Sequence, residues 1–366
     1  MVIKIVLKSN SKSIPSNTPV TSIPSDYYPK GCGYWFEISE GIDAGKKIFF
    51  RDSSHGEGNP EEVIVFVHGN PESSYTYRNV IAHLIKTAKK PFRIIAMDHI
   101  GFGLSDQASF EMVCMDHADN LSQLIRHLDL KKVTLIIHDW GGPIGIGAFL
   151  KEPDRVFNLV ILNSTVFPFP KSGMTYENYP LKQFPWANTP NIIPNNLWGA
   201  FTSFAIFYNP EDPQELIAAL PNLLAASRET GSFSENETPV QKFFREQFQS
   251  DKNVLSSKRL VLQTPVWGHG NTYKEPNLGE RDTSPFYRFI QDNISKVWGP
   301  DGQNIDVRAV IGKWDPSAKD EVMQQWVENL PQLQGHIKSF EKAGHFIEEI
   351  EPVAIAKAII EVAKLN

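Results

Sequence analysis

One carboxylate in this sequence stands where a nucleophile would be expected. The segment Val133 to Ile137 is apolar and β-branched, which predicts a short buried strand. It runs into His138-Asp-Trp-Gly-Gly142, and the small, apolar residues that follow predict a helix. A sharp strand-to-helix turn is typical of a nucleophile elbow, and Asp139 stands at its apex. A carboxylate nucleophile suits attack on a saturated carbon, because water can still open the resulting ester.

Asp139 alone is ambiguous, since aspartate is also a favoured N-cap for a following helix. Two further residues favour the catalytic interpretation. Asp315 comes shortly after a predicted strand that ends at Ile311, and His345 follows a predicted strand that ends at Phe340. Nucleophile, acid and histidine therefore occur in the chain order expected of an α/β-hydrolase triad. Independent caps and turns would not explain that order.

A fourth loop adds candidate donors for an anion. Asn70 lies in His68-Gly-Asn-Pro71, directly after the predicted strand Val63 to Val67. The carboxyl ends of parallel strands meet at one edge of a sheet, so this loop should lie near Asp139. The backbone N–H groups of Asn70 and Trp140 are then expected to face the acyl oxygen. Both side chains also carry N–H donors, which suits an anion released during the reaction.

The elements that position these residues alternate between strand and helix. This alternation covers residues 34–164 and 285–366 and predicts an α/β fold with a mostly parallel central sheet flanked by helices. The two stretches together are predicted to form an α/β-hydrolase core domain. Residues 1–33 are predicted to be an N-terminal arm, which the Ser, Pro, Asn and Thr content of residues 10–31 makes extended and loosely held.

The alternation stops after the predicted sixth strand. Residues 165–284 are rich in proline, asparagine and aromatic side chains, and we expect them to form a mainly helical cap domain over the catalytic edge of the sheet. Short helices are predicted near 196–207, 213–227 and 239–249. Surface loops are predicted near 228–238 and 268–284.

The composition is typical of a soluble globular protein and gives no sign of a nucleic-acid or membrane protein. The chain has 366 residues, of which 41% are hydrophobic and 21% charged, with a net charge of −6. That charge gives no reason to expect binding to nucleic acid or an anionic membrane. Cys32 and Cys114 suggest neither a disulfide framework nor a metal site. No signal peptide or apolar stretch of transmembrane length is evident, so a cytoplasmic location is predicted.

Four motifs resemble those of haloalkane dehalogenases in the α/β-hydrolase superfamily. They are His68-Gly-Asn-Pro-Glu-Ser-Ser-Tyr-Thr-Tyr-Arg78, Asp98-His-Ile-Gly-Phe-Gly-Leu-Ser-Asp106, His138-Asp-Trp-Gly-Gly142 and Ala343-Gly-His-Phe346. The resemblance covers residues 34–164 and 285–365 and is weak in the insertion. Two departures are visible: Ile137 stands where many elbows have glycine, and the cap is longer than usual.

The resemblance implies a two-step hydrolysis of a halogenated alkane. Asp139 displaces halide to form an alkyl ester, and Asn70 and Trp140 hold the leaving halide. His345, expected to be neutral, then activates water against the ester, and Asp315 orients it. Some members take the acid from the loop after the sixth strand, but here that loop, Asn163-Ser-Thr-Val166, has no carboxylate. The products are an alcohol, a halide ion and a proton.

No metal or organic cofactor is required by this chemistry. The expected partners are a small halogenated alkane and the halide product, in a monomer or small homo-oligomer.

Epoxide hydrolysis is the nearest alternative, because it uses the same triad. An epoxide oxygen needs a proton donor, for which the cap offers Tyr176, Tyr179, Tyr208 and Tyr273. Against it, Asn70 stands where epoxide hydrolases have an aromatic residue. Fluoroacetate dehalogenation is less favoured, because nothing basic follows Asp139. An inactive hydrolase fold used as a receptor or scaffold would not need the triad and two donors.

Overall fold

The computed structural model describes residues 14–207, residue 218 and residues 237–366. Its strands in chain order are β1 (Gly33–Glu37), β2 (Lys47–His55), β3 (Glu62–Val67), β4 (Phe92–Met97), β5 (Val133–His138), β6 (Val156–Leu162), β7 (Pro180–Leu181), β8 (Phe184–Pro185), β9 (Thr272–Glu275), β10 (Gly279–Asp282), β11 (Asp306–Trp314) and β12 (Ile337–Gly344). One eight-stranded sheet has the order β1-β2-β4-β3-β5-β6-β11-β12. In it β1–β2 and β2–β4 are antiparallel, and every other neighbouring pair is parallel. The predicted mostly parallel sheet is confirmed.

Helices cover both faces of this sheet. The described helices are α1 (Arg78–Thr87), α2 (Cys114–His127), α3 (Gly141–Phe149), α4 (Thr189–Ile192), α5 (Asn195–Phe207), α6 (Pro239–Glu246), α7 (Asp251–Leu262), α8 (Ser284–Trp298), α9 (Asp320–Asn329), α10 (Ile347–Ile350) and α11 (Pro352–Val362). Val65 and Val67 pack in the core cluster that contains α2, α3 and α8, whereas Ile64 and Phe66 pack with α1 and α11. Side chains of a strand alternate between faces, so an uninterrupted apolar run fills both cores. None of the helices in this part of the chain is long and apolar enough to cross a membrane.

Two strands extend further than the sequence predicts. β11 continues to Trp314 and β12 to Gly344, so Asp315 and His345 each follow a strand directly. Polar residues near both strand ends interrupt the hydrophobic pattern, so the sequence does not predict the extra length. Backbone pairing nevertheless continues as far as Trp314, opposite Gly344. Pairing through the last residue holds the two side chains that follow at neighbouring positions on the sheet edge.

The segment between β6 and β11 is mainly helical where the structure describes it, as predicted. Helices α5 and α6 correspond to the predictions near 196–207 and 239–249, whereas the predicted helix at 213–227 lies outside the described residues, residue 218 excepted. The loop predicted at 268–284 is wrong in part, because β9 and β10 form a hairpin there. Helix α7 was not predicted. The division of the chain into arm, core domain and cap domain stays a prediction.

The prediction of a loosely held arm is wrong for residues 14–31. Val20 and Tyr27 are only 3% and 4% exposed. The Tyr27 hydroxyl donates to Asp98 Oδ2 at 2.5 Å, and the backbone N–H of Thr21 donates to Glu246 Oε2 at 3.0 Å. The arm contacts both the core sheet loops and helix α6, because its few aromatic and apolar side chains are buried despite its polar composition.

Candidate active site

Asp139 sits at the turn between β5 and α3 in a backbone conformation that few non-glycine residues adopt. Its φ is +50°. The turn is held by the Asp139 N–H, which donates to the Asn163 carbonyl at 3.3 Å, and by Ser164 Oγ, which donates to the Asp139 carbonyl at 2.6 Å. A Cβ at Gly141 would overlap the Val67 carbonyl oxygen, so the turn can lie this close to β3 only with glycine there. The side chain of Asp139 is thereby directed beyond the edge of the sheet.

The structure brings Asp139, His345 and Asp315 into one hydrogen-bonded row. His345 Nε2 lies 3.3 Å from Asp139 Oδ2, and His345 Nδ1 lies 2.7 Å from Asp315 Oδ2. Asp315 is fully buried, and its other oxygen accepts from the backbone N–H of Ser317 at 2.8 Å. The imidazole therefore has one ring nitrogen toward the candidate nucleophile and the other held by a buried acid, which is the arrangement of a hydrolytic triad.

Charges on either side dominate the titration of His345. Burial favours the neutral imidazole, but the Asp315 and Asp139 carboxylates outweigh it and raise the pKa of His345 well above its usual value. The pKa of Asp315 is lowered: burial acts to raise it, and the charge and hydrogen bond of His345 prevail. The two neighbouring carboxyl groups therefore favour the charged form of the imidazole.

Asn70 contacts the candidate nucleophile through its backbone. Its N–H donates to Asp139 Oδ1 at 2.7 Å. A Cβ on Gly69 would overlap that same carboxylate, so glycine is required for the loop to come this near. The Asn70 side chain is 2% exposed, and its Oδ1 accepts from Ser257 Oγ at 2.6 Å. Its Nδ2 is buried and has no hydrogen-bond partner among the described residues.

Trp140 forms part of an aromatic stack beside the triad. Its ring lies parallel to that of Trp267, with centroids 4.0 Å apart. Tyr176 stacks on the other side of Trp267 at 5.7 Å. Trp267 Nε1 donates to the Thr165 carbonyl at 2.7 Å, which fixes its indole in this orientation. Stacked rings of this kind present a rigid apolar surface close to the carboxylate of Asp139.

The candidate cap tyrosines occupy different environments. Tyr176 is buried, and its hydroxyl lies 3.4 Å from Asp315 Oδ1, on the acid rather than the nucleophile. The Tyr179 ring packs edge-on against Trp314. Tyr273 lies on β9, next to Arg259 and far along the inserted segment. Tyr208 lies outside the described residues. Among the described tyrosines of this set, none donates a hydrogen bond from its hydroxyl to Asp139.

A second buried cluster lies behind the triad and was not predicted. His138 Nε2 donates to the carbonyl of His345 at 2.8 Å, because a carbonyl can only accept. His138 Nδ1 then faces Glu72 Oε2 at 2.7 Å and Glu348 Oε1 at 3.2 Å. All three side chains are fully buried, and burial followed by the neighbouring Glu72 charge raises the pKa of Glu348 well above its usual value. The cluster ties the His345 loop to the elbow and to the Asn70 loop.

These are also the side chains, among those described, best placed to hold a metal. The ligand atoms of Glu72, His138 and Glu348 lie within 4.8 Å of one another. Hydrogen bonds among the three, and from Thr76 Oγ1 to Glu72 Oε1 at 2.8 Å, already account for most of their polar atoms. We therefore treat the group as a hydrogen-bonded cluster that supports the catalytic loops.

Sequence reasoning missed Ser257 and Trp267, which line the site from the insertion. Ser257 and Trp267 lie in segments without a clear hydrophobic period. Ser257 contacts Asn70, which is 187 positions away in the chain, and Trp267 contacts Thr165, which is 102 positions away. Glu72 and Glu348 offered a weak signal, since Glu72 lies inside the motif His68–Arg78 and Glu348 stands two residues after the motif Ala343–Phe346. A carboxylate beside an active-site loop is more often exposed, so burial could not be predicted for either.

A family comparison defines the class of protein. The model of the alpha/beta hydrolase fold family matches residues 62–352, which is most of the chain. The chain therefore belongs to the α/β hydrolase fold family.

Within this family the chain is similar to enzymes of two named activities. It is 28% identical over 313 residues to the cis-3-alkyl-4-alkyloxetan-2-one decarboxylase of Shewanella oneidensis, covering 83% of this chain and 81% of that protein. It is 35% identical over 135 residues to haloalkane dehalogenase 2 of Mycobacterium tuberculosis, covering 37% of this chain and 42% of that protein. The predicted likeness to haloalkane dehalogenases is thus confirmed, and a likeness to the decarboxylase joins it.

Solved structures of dehalogenases share the fold. The tetrameric haloalkane dehalogenase DpaA from Paraglaciecola agarilytica NO2 superposes with a TM-score of 0.63 at 20% identity, covering 92% of this chain and 93% of that one. DbeA from Bradyrhizobium elkani USDA94 gives a TM-score of 0.62 at 17% identity, covering 91% and 98%. These similarities support the fold.

Proposed function

We propose that the protein is a hydrolytic haloalkane dehalogenase. The Asp139 carboxylate attacks a halogen-bearing sp³ carbon in line, the carbon–halogen bond breaks, and an alkyl ester forms on Asp139. Asn70 Nδ2 and the Trp140 indole N–H hold the departing halide. Catalysis of this kind gains most from donors placed where negative charge develops, in a site from which water is excluded.

The charge of His345 changes its role between the two steps. Before alkylation its charged imidazole lies between two carboxylates. Ester formation removes the charge of Asp139, so the pKa of His345 falls and the imidazole can lose its proton. The neutral ring then takes a proton from water, which attacks the ester carbonyl while the backbone N–H of Asn70 stabilises the oxyanion. The alcohol leaves and the carboxylate is restored.

The observation that carries this proposal is the hydrogen bonding of Asn70. Its backbone N–H binds Asp139 Oδ1, while its buried Nδ2 has no partner among the described residues. A buried amide donor left unpaired costs free energy, so such a group in a native site calls for a partner such as water or an ion. An anion leaving the carbon under attack by Asp139 would supply the missing acceptor.

A second candidate is decarboxylation of a 3,4-dialkyl oxetan-2-one, favoured by the match along 81% of the Shewanella decarboxylase. Asp139 would attack C4 of the four-membered ring, and the C4–O bond would break to give a carboxylate as leaving group. The bond between C3 and the carboxylate carbon would then break, its electrons forming the C3–C4 double bond as the Asp139 ester departs. The products are an alkene and carbon dioxide, and no water is consumed.

Epoxide hydrolysis is the weaker alternative. It needs proton donors across from the nucleophile, and the Tyr176 hydroxyl instead lies near Asp315 Oδ1. Asn70 and Trp140 would also be left without a role beside an epoxide.

Product analysis separates these candidates. The protein should be incubated with a panel of 1-bromo- and 1-chloroalkanes, a cis-3,4-dialkyl oxetan-2-one and styrene oxide, with Asp139→Asn as the inactive control. We expect bromide and the matching alcohol in equal amounts from a bromoalkane. If the oxetanone yields alkene and carbon dioxide and no alkane releases halide, dehalogenation is refuted and decarboxylation is supported. A diol from styrene oxide alone would favour epoxide hydrolysis.

A further inference from the structure

Two helices of the inserted segment reach the Asn70 amide through one serine. Ser257 on α7 is fully buried, and its hydroxyl lies 2.6 Å from Asn70 Oδ1. The indole Nε1 of Trp198 on α5 lies 3.0 Å from the same hydroxyl oxygen. Residues 198, 257 and 70 thus form a chain of hydrogen bonds from the insertion to the loop that follows β3.

The direction of this chain follows from the chemistry of its members. An indole N–H can only donate, so Ser257 Oγ accepts from Trp198. The hydroxyl proton of Ser257 then needs an acceptor, and Asn70 Oδ1 is the one within reach. The opposite amide orientation would leave that proton without an acceptor. Asn70 Nδ2 is consequently directed away from Ser257, and it has no hydrogen-bond partner among the described residues.

Lys258 anchors the same two helices. Its ammonium donates to the carbonyl of Ile193 at 2.6 Å and to Asn195 Oδ1 at 2.7 Å, and it lies over the Trp198 ring at 5.2 Å. Lys258 is only 7% exposed. The separation of α5 and α7, and with it the Trp198–Ser257 contact, is fixed by charge-assisted hydrogen bonds at the neighbouring residue.

We infer that Ser257, itself held by Trp198, is a positioning residue that sets the Asn70 amide so that Nδ2 binds the leaving anion. The inference rests on the proposed function, because it assigns an anion to the donor beside Asp139. The leaving-group site would then be formed by the loop after β3, which supplies Asn70, and by the inserted segment, which supplies Ser257. Ser257 acts only through Asn70 and touches no reacting atom.

A double-mutant cycle with bromide as the probe tests this role. Bromide affinity is measured by quenching of tryptophan fluorescence in the parent, Ser257→Ala, Asn70→Ala and the double variant. Ser257→Ala should weaken bromide binding roughly tenfold or more, the equivalent of a misdirected hydrogen bond to a charged partner. In the Asn70→Ala background the same change should have no further effect, because the group it positions is gone. A merely structural serine would produce the same loss in both backgrounds.

Two further variants serve as controls. Ser257→Thr keeps the hydroxyl and should restore most of the affinity. Ser256→Ala removes the neighbouring buried serine of α7, whose hydroxyl accepts from the Met112 N–H at 3.2 Å, and should leave bromide binding unchanged.

The outcomes separate this inference from the proposed function. If the parent binds bromide and Ser257→Ala binds it equally well, the positioning role is refuted while dehalogenation stands. If the parent binds propionate but not bromide, and the cycle run with propionate shows the same coupling, dehalogenation fails and the positioning role stands. If neither anion binds, both are refuted, since both require Nδ2 to face an anion.

Discussion

At the residue scale, the site depends on the balance of charge around one imidazole. His345 lies between Asp139 at 3.3 Å and Asp315 at 2.7 Å, and the two carboxylates hold its pKa well above the usual value despite burial. The same contact lowers the pKa of Asp315. Removing either partner of a buried pair leaves the other uncompensated, so substitutions here change both titration and stability.

The Asp315–His345 pair predicts a defined pH window of stability. The folded pKa of Asp315 is below its unfolded value, so its contribution is present above about pH 4 and lost as pH falls through the lowered pKa. The folded pKa of His345 is above its unfolded value, so its contribution is complete below about pH 6.5 and lost as pH rises through the raised pKa. Asp315→Asn should therefore lower the unfolding free energy most, by about 3–5 kcal/mol, between about pH 4 and about pH 6.5.

Urea unfolding of parent and Asp315→Asn across the pH range measures this difference. Asp320→Asn, at an exposed acid that pairs with Lys313, is the control and should show a small cost. A difference that stays constant from pH 4 to strongly alkaline conditions would rule out the charged pair.

The indole N–H of Trp140 is expected to contribute to bromide release independently of the size of the ring. Trp140→Phe keeps an aromatic ring against Trp267 and removes the indole N–H. A hydrogen bond to a charged partner contributes about 1.5–3 kcal/mol, so bromide release should fall by roughly one to two decades. Trp298→Phe, which removes a buried N–H bound to the Pro153 carbonyl away from the site, is the control. Equal rates for parent and Trp140→Phe in bromide-release assays would remove Trp140 from the halide site.

At the element scale, the turn between β5 and α3 is built around small residues on the helix. Ile137 stands where many elbows have glycine, and the first turns of α3 make room for it. A Cβ at Gly145 would lie 3.2 Å from Ile137 Cγ2, and one at Gly142 would lie 3.6 Å from Ile137 Cδ1. The isoleucine therefore packs against glycines that approach it closely, which explains how the turn tolerates a large residue two positions before Asp139.

The elbow predicts unequal costs for alanine at two glycines of the same helix. At Gly141 the new Cβ would overlap the backbone carbonyl of Val67, which cannot move without disturbing β3. Gly141→Ala should cost about 2–3 kcal/mol of unfolding free energy and lower activity through displacement of Asp139. Gly145→Ala meets only side-chain methyls, and a gain in helix propensity of up to about 1 kcal/mol offsets the crowding. Thermal unfolding compares the two, and equal costs would contradict this account of the turn.

Part of this organisation was predictable from the sequence, and the rest was not. The strand ends and the chain order predicted that Asp139, Asp315 and His345 would meet, because parallel strands bring their carboxyl ends to one edge. Helix α7 escaped prediction because Ser256, Ser257 and Lys258 are all buried on it, so its polar residues do not mark a solvent face. Packing between distant segments, such as Trp140 on Trp267, leaves no local pattern to read.

At the scale of the whole molecule, the described part of the N-terminal arm packs against the loop that follows β4. Asp98 is fully buried and accepts hydrogen bonds from the backbone N–H of Leu104 at 2.7 Å, from the Ser74 hydroxyl at 2.7 Å and from the Tyr27 hydroxyl. The arm also reaches α6 through Thr21 and Glu246. One buried carboxylate thus joins the arm, the loop after β3 and the loop after β4.

These contacts of Asp98 predict a large effect on stability for one hydroxyl in the segment that precedes β1. Tyr27→Phe removes a donor to a buried charge and should lower the unfolding free energy by about 1.5–3 kcal/mol. Tyr28→Phe removes the adjacent, partly exposed hydroxyl and should cost at most about 0.5 kcal/mol. Chemical denaturation of the two variants provides the measurement. Identical stabilities would mean that the arm contributes nothing through Asp98.

The central claim is that Asp139 becomes covalently alkylated by the substrate and that His345 is required to release it. His345→Gln should permit the first step and block the second, so a bromoalkane should leave a single alkyl group on the enzyme. Mass spectrometry of the intact protein and of its peptides after exposure to 1-bromobutane measures this directly. The account predicts one adduct, on the peptide that carries Asp139, absent in Asp139→Asn with the same exposure. An adduct on another residue, or continued turnover by His345→Gln, would contradict it.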